Sequence, residues 1–303
     1  MRRAIMTGAT GALGRALIDE LTARGIEVLV LTHASSARNA VLPRHPLVQV
    51  RLCGLEELSG LKAEEQPWDV FYHFAWAGTT GTQRNDALLQ ADNVRWAVEA
   101  VRAARRMGCS CFIGAGSQAE YGPHEGLLAP ETPVHPVTGY GMGKLAAGLL
   151  TRLECSAAGM RHCWVRIVSL YGPGDWVDGV IPSTLRVLRQ GGTPQLTPGG
   201  QRLDVLYSAD AARAFRLLGE SSTESAVYVL GSGEAPTLRE ILETLRDEAA
   251  PGAALDFGAL PYREGQAMCV QADIRALTRD TGWKPEISLR EGMRRLCAGE
   301  AAP

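Results

Sequence analysis

No run of apolar residues in this 303-residue chain approaches the roughly 20 needed to span a membrane. The longest, such as Val28 to Leu31 and Val70 to Phe74, have the length of strands. The start also lacks the apolar core and small-residue cleavage site of a signal peptide, because Arg2 and Arg3 lead straight into a short strand pattern and a Gly-rich turn. A cytosolic protein is expected. Charge of one sign is not in excess either: a formal net charge of -2 provides no global field for nucleic acid or an anionic membrane, so neither is expected as a partner. The cysteines (Cys53, Cys109, Cys111, Cys155, Cys163, Cys269 and Cys297) are odd in number and include no CxxC pair, which fits reduced thiols rather than a disulfide framework. Cys109 and Cys111, flanking a predicted strand, read as small buried residues. The histidines show no HxxxH or HExxH spacing, so no metal site is expected.

What is present is enough apolar content, 46% of residues, to bury a substantial core. In the first half, short apolar runs alternate with helical patterns, the signature of a parallel sheet wound by crossover helices. Strands are predicted at Ala4 to Met6, Ile26 to Leu31, Leu47 to Leu52, Val70 to Phe74, Cys111 to Gly114 and Cys163 to Ser169. Leu13, Leu17 and Leu21 mark one face of the first helix, which Gly25 ends. Longer helices are predicted from about Ala87 to Met107 and from the N-cap Thr138 to about Ala158. The fold class is therefore α/β with a doubly wound parallel sheet. Beyond Tyr171 the pattern loosens into Pro and Gly punctuation, with short strands at Val205 to Tyr207 and Ala226 to Leu230, which suggests a smaller, discontinuous C-terminal lobe.

TGATGALG, residues 7 to 14, falls between a predicted strand and an amphipathic helix, the context that marks a Rossmann dinucleotide site. Gly8 allows the tight turn, Gly11 lets the backbone approach a pyrophosphate, and Gly14 permits close packing of helix on strand. Unpaired N–H groups at the helix start favour the anion, with Thr10, Ala12 and Leu13 completing the cradle. An NAD site usually ends the second strand with an Asp or Glu for the ribose 2′-hydroxyl, but here that strand runs into His33, Ser36 and Arg38 with no carboxylate. Hydroxyls and a guanidinium suit a 2′-phosphate, so NADP is the expected cofactor. A solvated Arg38 with NAD bound is the alternative.

Tyr140 and Lys144, four apart at a helix start, project from one face. A free phenol with a pKa of about 10 exchanges protons poorly near neutrality unless a cation stabilises the phenolate. Lys144 is placed to do that, and Tyr140 would then trade a proton with an oxygen as hydride moves. Gly139, Gly141 and Gly143 surround the Tyr, and three glycines in a first turn cost about 1 kcal/mol each against Ala. Close approach of a cofactor or substrate is the functional explanation; a frayed helix start is the bland one. Ser117 follows the fifth strand at its C-terminal end, where parallel sheets place ligands.

Together TGATGALG, FIGAGSQAEYG (112 to 122), YGMGK (140 to 144), YGPGD (171 to 175) and GQRLDVLYSAD (200 to 210) resemble an extended short-chain dehydrogenase/reductase of the nucleotide-sugar epimerase, dehydratase and reductase group. DVFYHFAWAG (69 to 78), with Phe74 and Ala75 near the cofactor, Asn93, and TGWKPEISLREGM (281 to 293) follow the family's order. The resemblance implies that Tyr140 is the acid/base, that Lys144 bonds the nicotinamide ribose and that Ser117 polarises the substrate oxygen. It also implies a dinucleotide-binding domain over 1–170 and 203–231, and a nucleotide-sugar lobe over 171–202 and 232–303. In that lobe Arg263 matches the family's phosphate-binding Arg, Arg202 stands one position off another, and Gln118 joins Ser117 at the substrate. The family's 4,6-dehydratases carry Asp and Glu where this chain has Gln118 and Ala119, and members that epimerise beside a ketone have a Cys at the place of Ala119. The implied reaction is NADPH-dependent reduction of a 4-keto-6-deoxy nucleotide sugar. The alternatives are an NAD-dependent 4-epimerase, a non-sugar ketone reductase, and a dinucleotide-binding sensor without chemistry. A homodimer through the two long helices is also implied, with Val94, Val98, Val101, Leu145 and Leu149 as candidate interface residues.

Overall fold

The computed structural model describes residues 1–175, 179–263 and 265–299. The chain first forms β1 (Arg3–Thr7), α1 (Ala12–Thr22), β2 (Glu27–Thr32), β3 (Val48–Leu52), β4 (Val70–His73), α2 (Ala87–Arg106) and β5 (Cys111–Ser117). Next come β6 (Gly126–Leu128), α3 (Gly139–Ala157), β7 (Arg161–Ile167) and β8 (Leu170–Tyr171). The rest adds α4 (Val180–Arg189), β9 (Gln195–Leu196), β10 (Arg202–Leu203), β11 (Leu206–Tyr207), α5 (Ser208–Glu220), β12 (Ala226–Leu230), α6 (Leu238–Ala249), β13 (Asp256–Phe257), β14 (Cys269–Ala272), α7 (Arg275–Thr281) and α8 (Leu289–Gly299).

Seven strands pair in parallel in the order β12-β7-β5-β4-β1-β2-β3. From β1 the chain winds one way through β2 and β3 and the other way through β4, β5, β7 and β12. This is the doubly wound Rossmann arrangement, and its reversal leaves a crevice outside the carboxyl ends of β1 and β4. Leu17 and Leu21 of α1 are fully buried against one face of the sheet together with Phe215 and Leu218 of α5. Each such leucine contributes about 2 kcal/mol by leaving water. The other face packs Ile5, Leu29, Phe71 and Phe112 beneath Val101 and Met107. A separate cluster of Ile181, Leu185, Ile241, Leu245, Met293 and Leu296 joins α4, α6 and α8. Among the described residues no helix is long and apolar enough to cross a membrane.

Three differences from the sequence reading have packing causes. β5 starts at Cys111 as expected but runs past Gly114 through Gly116 to Ser117. Both glycines stand against the Trp164 ring of β7, and a Cβ on either would collide with it. What reads locally as a strand break is room for a neighbouring indole. The strand near Val205 pairs as β11 with β8, outside the seven-stranded sheet. Finally, Val101 is 1% exposed and belongs to the sheet core. Of the five candidate interface residues only Leu149 is exposed, beside Leu150 and Leu153 on α3, while Val94, Val98 and Leu145 are half-buried.

Candidate active site

The turn from β1 into α1 follows from its glycines. Gly8 sits at φ +75°, a conformation costly for any residue with a Cβ, and a Cβ there would collide with the backbone of Phe74 and Ala75. At Gly14 a Cβ would strike the Gly8 carbonyl and Ala9. Gly11 differs, because the nearest protein atom to a Cβ there is 3.8 Å away. Its missing side chain leaves open space that the chain itself does not use. Gly11 also caps α1 without any side-chain hydrogen bond, and the first turn carries no acid. The helix N-terminus thus turns its unpaired N–H groups and positive dipole end outward.

Ser117 ends β5 at the same edge. Its backbone N–H donates to Glu120 Oε1 at 2.8 Å, and its Oγ accepts from the Ala119 N–H at 3.2 Å. The Ser117 side chain also hydrogen-bonds Tyr140. Thr138 Oγ1 accepts from the Gly141 N–H at 3.1 Å, so the expected N-cap starts α3. The helix start is pressed onto the turn after β5: a Cβ on Gly141 would collide with the Ala119 carbonyl, and one on Gly143 would lie 3.2 Å from the Trp76 ring. A Cβ on Gly139 would lie 3.2 Å from the Arg84 carbonyl. The clearance expected for a ligand is therefore taken up by protein: the glycines admit the 82–85 turn, Trp76 and the turn after Ser117.

The result is a cleft of about 350 Å³ in which Gly8, Gly11, Ala12, Leu13, Gly14 and Phe74 share the walls with Ser117, Tyr140 and Lys144. Thr10, Ala75, His33, Ser36, Arg38, Gln118, Arg202 and Arg263 lie outside its lining. Trp76, Thr79, Asp175 and the end of β7 with the following residues (Ile167 to Leu170) were not anticipated and do line it. Trp76 and Asp175 stand inside the DVFYHFAWAG and YGPGD motifs, and the others have as signal their position near strand ends at this edge.

Lys144 is 4% exposed and donates to the Ala115 carbonyl at 2.7 Å, with its Nζ 4.0 Å from the Trp76 ring centroid. Burial lowers its pKa from the usual lysine value to about 7, against the opposing pull of the Glu120 carboxylate. The ammonium is 5.8 Å from the Tyr140 ring centroid, whereas the Arg84 guanidinium is 4.3 Å from it. The Arg84 guanidinium is therefore the nearer of the two cations to the centre of the Tyr140 ring, a neighbour that the four-residue spacing does not reveal. Burial raises the Tyr140 pKa, while Ser117 and Arg84 pull it back. His73, behind Lys144, bonds Thr7 Oγ1 at 3.0 Å and is held neutral with a pKa of about 3, chiefly by burial.

Glu120, fully buried, faces away from the cleft. It accepts from the Trp164 Nε1–H at 2.9 Å and from Arg166 Nε at 2.8 Å. At the end of β2, His33 Nε2 stands 3.2 Å from Glu56 Oε1, so a carboxylate absent from β2 itself arrives from the residues after β3. Arg38 is exposed and makes no ion pair among the described residues. Arg202 and Arg263 are exposed on the C-terminal side.

Residues 4–231 match the model of the NAD dependent epimerase/dehydratase family. The chain is 27% identical to a dTDP-6-deoxy-L-talose 4-dehydrogenase (NAD(P)(+)) of Kitasatospora kifunensis, over 99% of this chain and 96% of that one. It is 26% identical to a UDP-glucose 4-epimerase of Mycolicibacterium smegmatis, over 96% of each. A solved UDP-N-acetylglucosamine 4-epimerase from Methanobrevibacter ruminantium M1 superposes with a TM-score of 0.86 at 21% identity, covering 98% of this chain and 99% of that one, which shows a shared fold. With the glycine turn and the Ser117, Tyr140 and Lys144 side chains opening onto one cleft, and the family match spanning most of the sequence, the chain belongs to the NAD dependent epimerase/dehydratase family of extended short-chain dehydrogenases/reductases.

Proposed function

We propose that the protein transfers hydride at a ring carbon of a nucleotide-diphosphate sugar, without eliminating water, and that Tyr140 carries the accompanying proton. The observation that carries this reading is Glu120. Eliminating water needs an acid and a base besides hydride transfer, and the first carboxylate after Ser117 is locked in the core by Trp164 and Arg166. The proton transfer that accompanies hydride is assigned to the phenol, with Asp175 the carboxylate among the described lining residues.

The open space at Gly11 and the uncapped start of α1 fit a pyrophosphate, so the glycine turn would hold a nicotinamide dinucleotide. When bound, that cofactor supplies or accepts the hydride. Ser117 offers its hydroxyl proton to the substrate oxygen. Tyr140, which burial holds protonated, gives its proton to that oxygen as the carbon is reduced. Lys144, with one N–H on the Ala115 carbonyl, has others available for a ribose hydroxyl. Arg202 and Arg263 are the cations proposed for the diphosphate.

Between the two outcomes of such chemistry, reduction of a 4-keto sugar with NADPH is favoured by the unpaired Arg38 and by a Tyr140 poised as a donor. The 4-epimerase reading with NAD has its own support in Glu56, because a carboxylate at the end of β2 repels a 2′-phosphate, and in the relatives named as epimerases. Titration with NADPH and NADH, followed by incubation with CDP-, dTDP-, GDP- and UDP-linked 4-keto-6-deoxy sugars, separates them. Consumption of reduced cofactor is expected, and it should fall at least a hundredfold in Tyr140→Phe with cofactor affinity kept. Tightly held NAD released by denaturation, with UDP-sugars interconverted and no net cofactor use, would replace the reductase by the epimerase. No hydride transfer to or from any nucleotide sugar would end both.

A further inference from the structure

The segment between β4 and α2 reaches both Tyr140 and Lys144, and the reaction as proposed does not explain why. Trp76, whose Nε1–H donates to Gln90 Oε1 at 2.8 Å, lies against Lys144. Arg84 lies against Tyr140, with its Nη1 tethered to the Thr79 carbonyl at 2.8 Å. The 82–85 turn that bears it is docked on α3, where Asn85 Oδ1 accepts the Gly139 N–H at 3.0 Å. From inside, Gln90 of α2, 3% exposed, donates to the carbonyls of Gly78 and Gln83 at 3.0 Å each. The guanidinium is thus tethered to the Thr79 carbonyl, and the turn that carries it is fastened to α3 and α2.

We propose that Arg84 is a positioning residue for the proton transfer: seated on the Tyr140 ring, it holds the phenol toward Ser117 and stabilises the phenolate, a duty that the Tyr-Lys spacing gives to Lys144 alone. The proposal rests on Tyr140 being the proton-transferring group. A cation over a ring face gains when the ring becomes more electron-rich, as it does on losing the phenolic proton. Arg keeps its charge at every working pH, whereas Lys144, buried and with a pKa of about 7, has lost part of its charge near neutrality. Arg84 is therefore the permanent cation of the pair and also the nearer one.

The other groups facing the phenol do not take over this role. Ser117 of β5 is neutral, Trp76 presents a ring edge at 6.2 Å, and Glu120 opposes the phenolate while its own charge is answered by Arg166. Among the described residues that line the cleft, Lys144 of α3 is the cation and Asp175 the carboxylate.

The test follows the phenol directly. Protein carrying 3-fluorotyrosine, whose fluorine brings phenol titration toward neutral pH, is titrated by 19F NMR, with Tyr140→Phe identifying the resonance. In Arg84→Met the Tyr140 midpoint should move to higher pH, lowering the phenolate population below the midpoint roughly three- to tenfold. Arg84→Lys should restore most of it. Should Arg84→Met not fold, Arg84→Gln is titrated instead with the same expectation. A midpoint that stays put in either folded variant, or one that Arg84→Lys fails to restore, overturns the proposal and leaves the reaction reading intact. Turnover that survives Tyr140→Phe would instead remove the reaction reading, and this proposal with it.

Discussion

Charge is handled in opposite ways on the two sides of the cleft. Beside Ser117 it is buried and fully engaged: both oxygens of Glu120 are taken up, by Ser117 N–H, Trp164 and Arg166, and Arg166 is only 7% exposed. On the C-terminal side Arg202 and Arg263 stand in solvent. A buried ion pair is tolerable only when further hydrogen bonds satisfy both partners, and the Glu120 site meets that condition. Fixed charge suits the part that must hold a hydroxyl and a phenol in register. Exposed charge suits the role proposed for Arg202 and Arg263, in which the negative partner arrives with the substrate.

The sharpest way to break this comparison is Glu120→Ala, which leaves the Arg166 guanidinium buried and unpaired. A loss of about 3–5 kcal/mol is expected in urea unfolding, with much of it recovered in the double variant Glu120→Ala/Arg166→Met. A loss under about 1 kcal/mol would show that the pair does not hold the site.

Lys144 gives a smaller, pH-dependent effect. Its folded pKa of about 7 lies below the ordinary value of 10.5, so between these limits the unfolded chain holds a proton that the folded one has released. Unfolding then takes up a proton, and stability from this group rises with pH, whereas at and below pH 7 the full cost of the buried ammonium is present. Relative to Lys144→Met, the wild type should gain about 2 kcal/mol between pH 7.5 and 9.5. Parallel stability curves for the two proteins would mean that the lysine is not desolvated as its burial indicates.

The least change is expected in Arg263→Ala. Stability should stay within about 0.5 kcal/mol, while affinity for a nucleoside diphosphate, read by calorimetry, weakens roughly tenfold. If Arg263→Ala instead destabilised the fold without touching nucleotide affinity, the two sides would not differ in the way described.

The sequence was most informative where cause and effect lie within one turn or one strand. The Leu13, Leu17 and Leu21 spacing, the Thr138 cap and the roles of Gly8 and Gly14 follow from local geometry, and the structure shows each of these contacts. Ser117 could be placed at the sheet edge because parallel strands end there together. Features made by distant segments were not legible. Gly114, Gly116 and Gly148 look unrelated until Trp164 is seen to press against all three. Arg84 is 56 residues from Tyr140 in sequence and carries no motif, so only the docking of its turn onto α3 brings it to the ring. The same distance effect hides Trp76, whose ring lies closer to the Lys144 ammonium than the Tyr140 ring does.

The press of Gly141 against the Ala119 carbonyl has a mechanical consequence. Hydroxyl and phenol ride on one closely packed block, and the wall across the cleft, with Ser169, Leu170 and Asp175, belongs to other segments of the chain. On the proposed function, exchanging the C-terminal lobe for another would change what is bound while leaving Ser117 and Tyr140 in place.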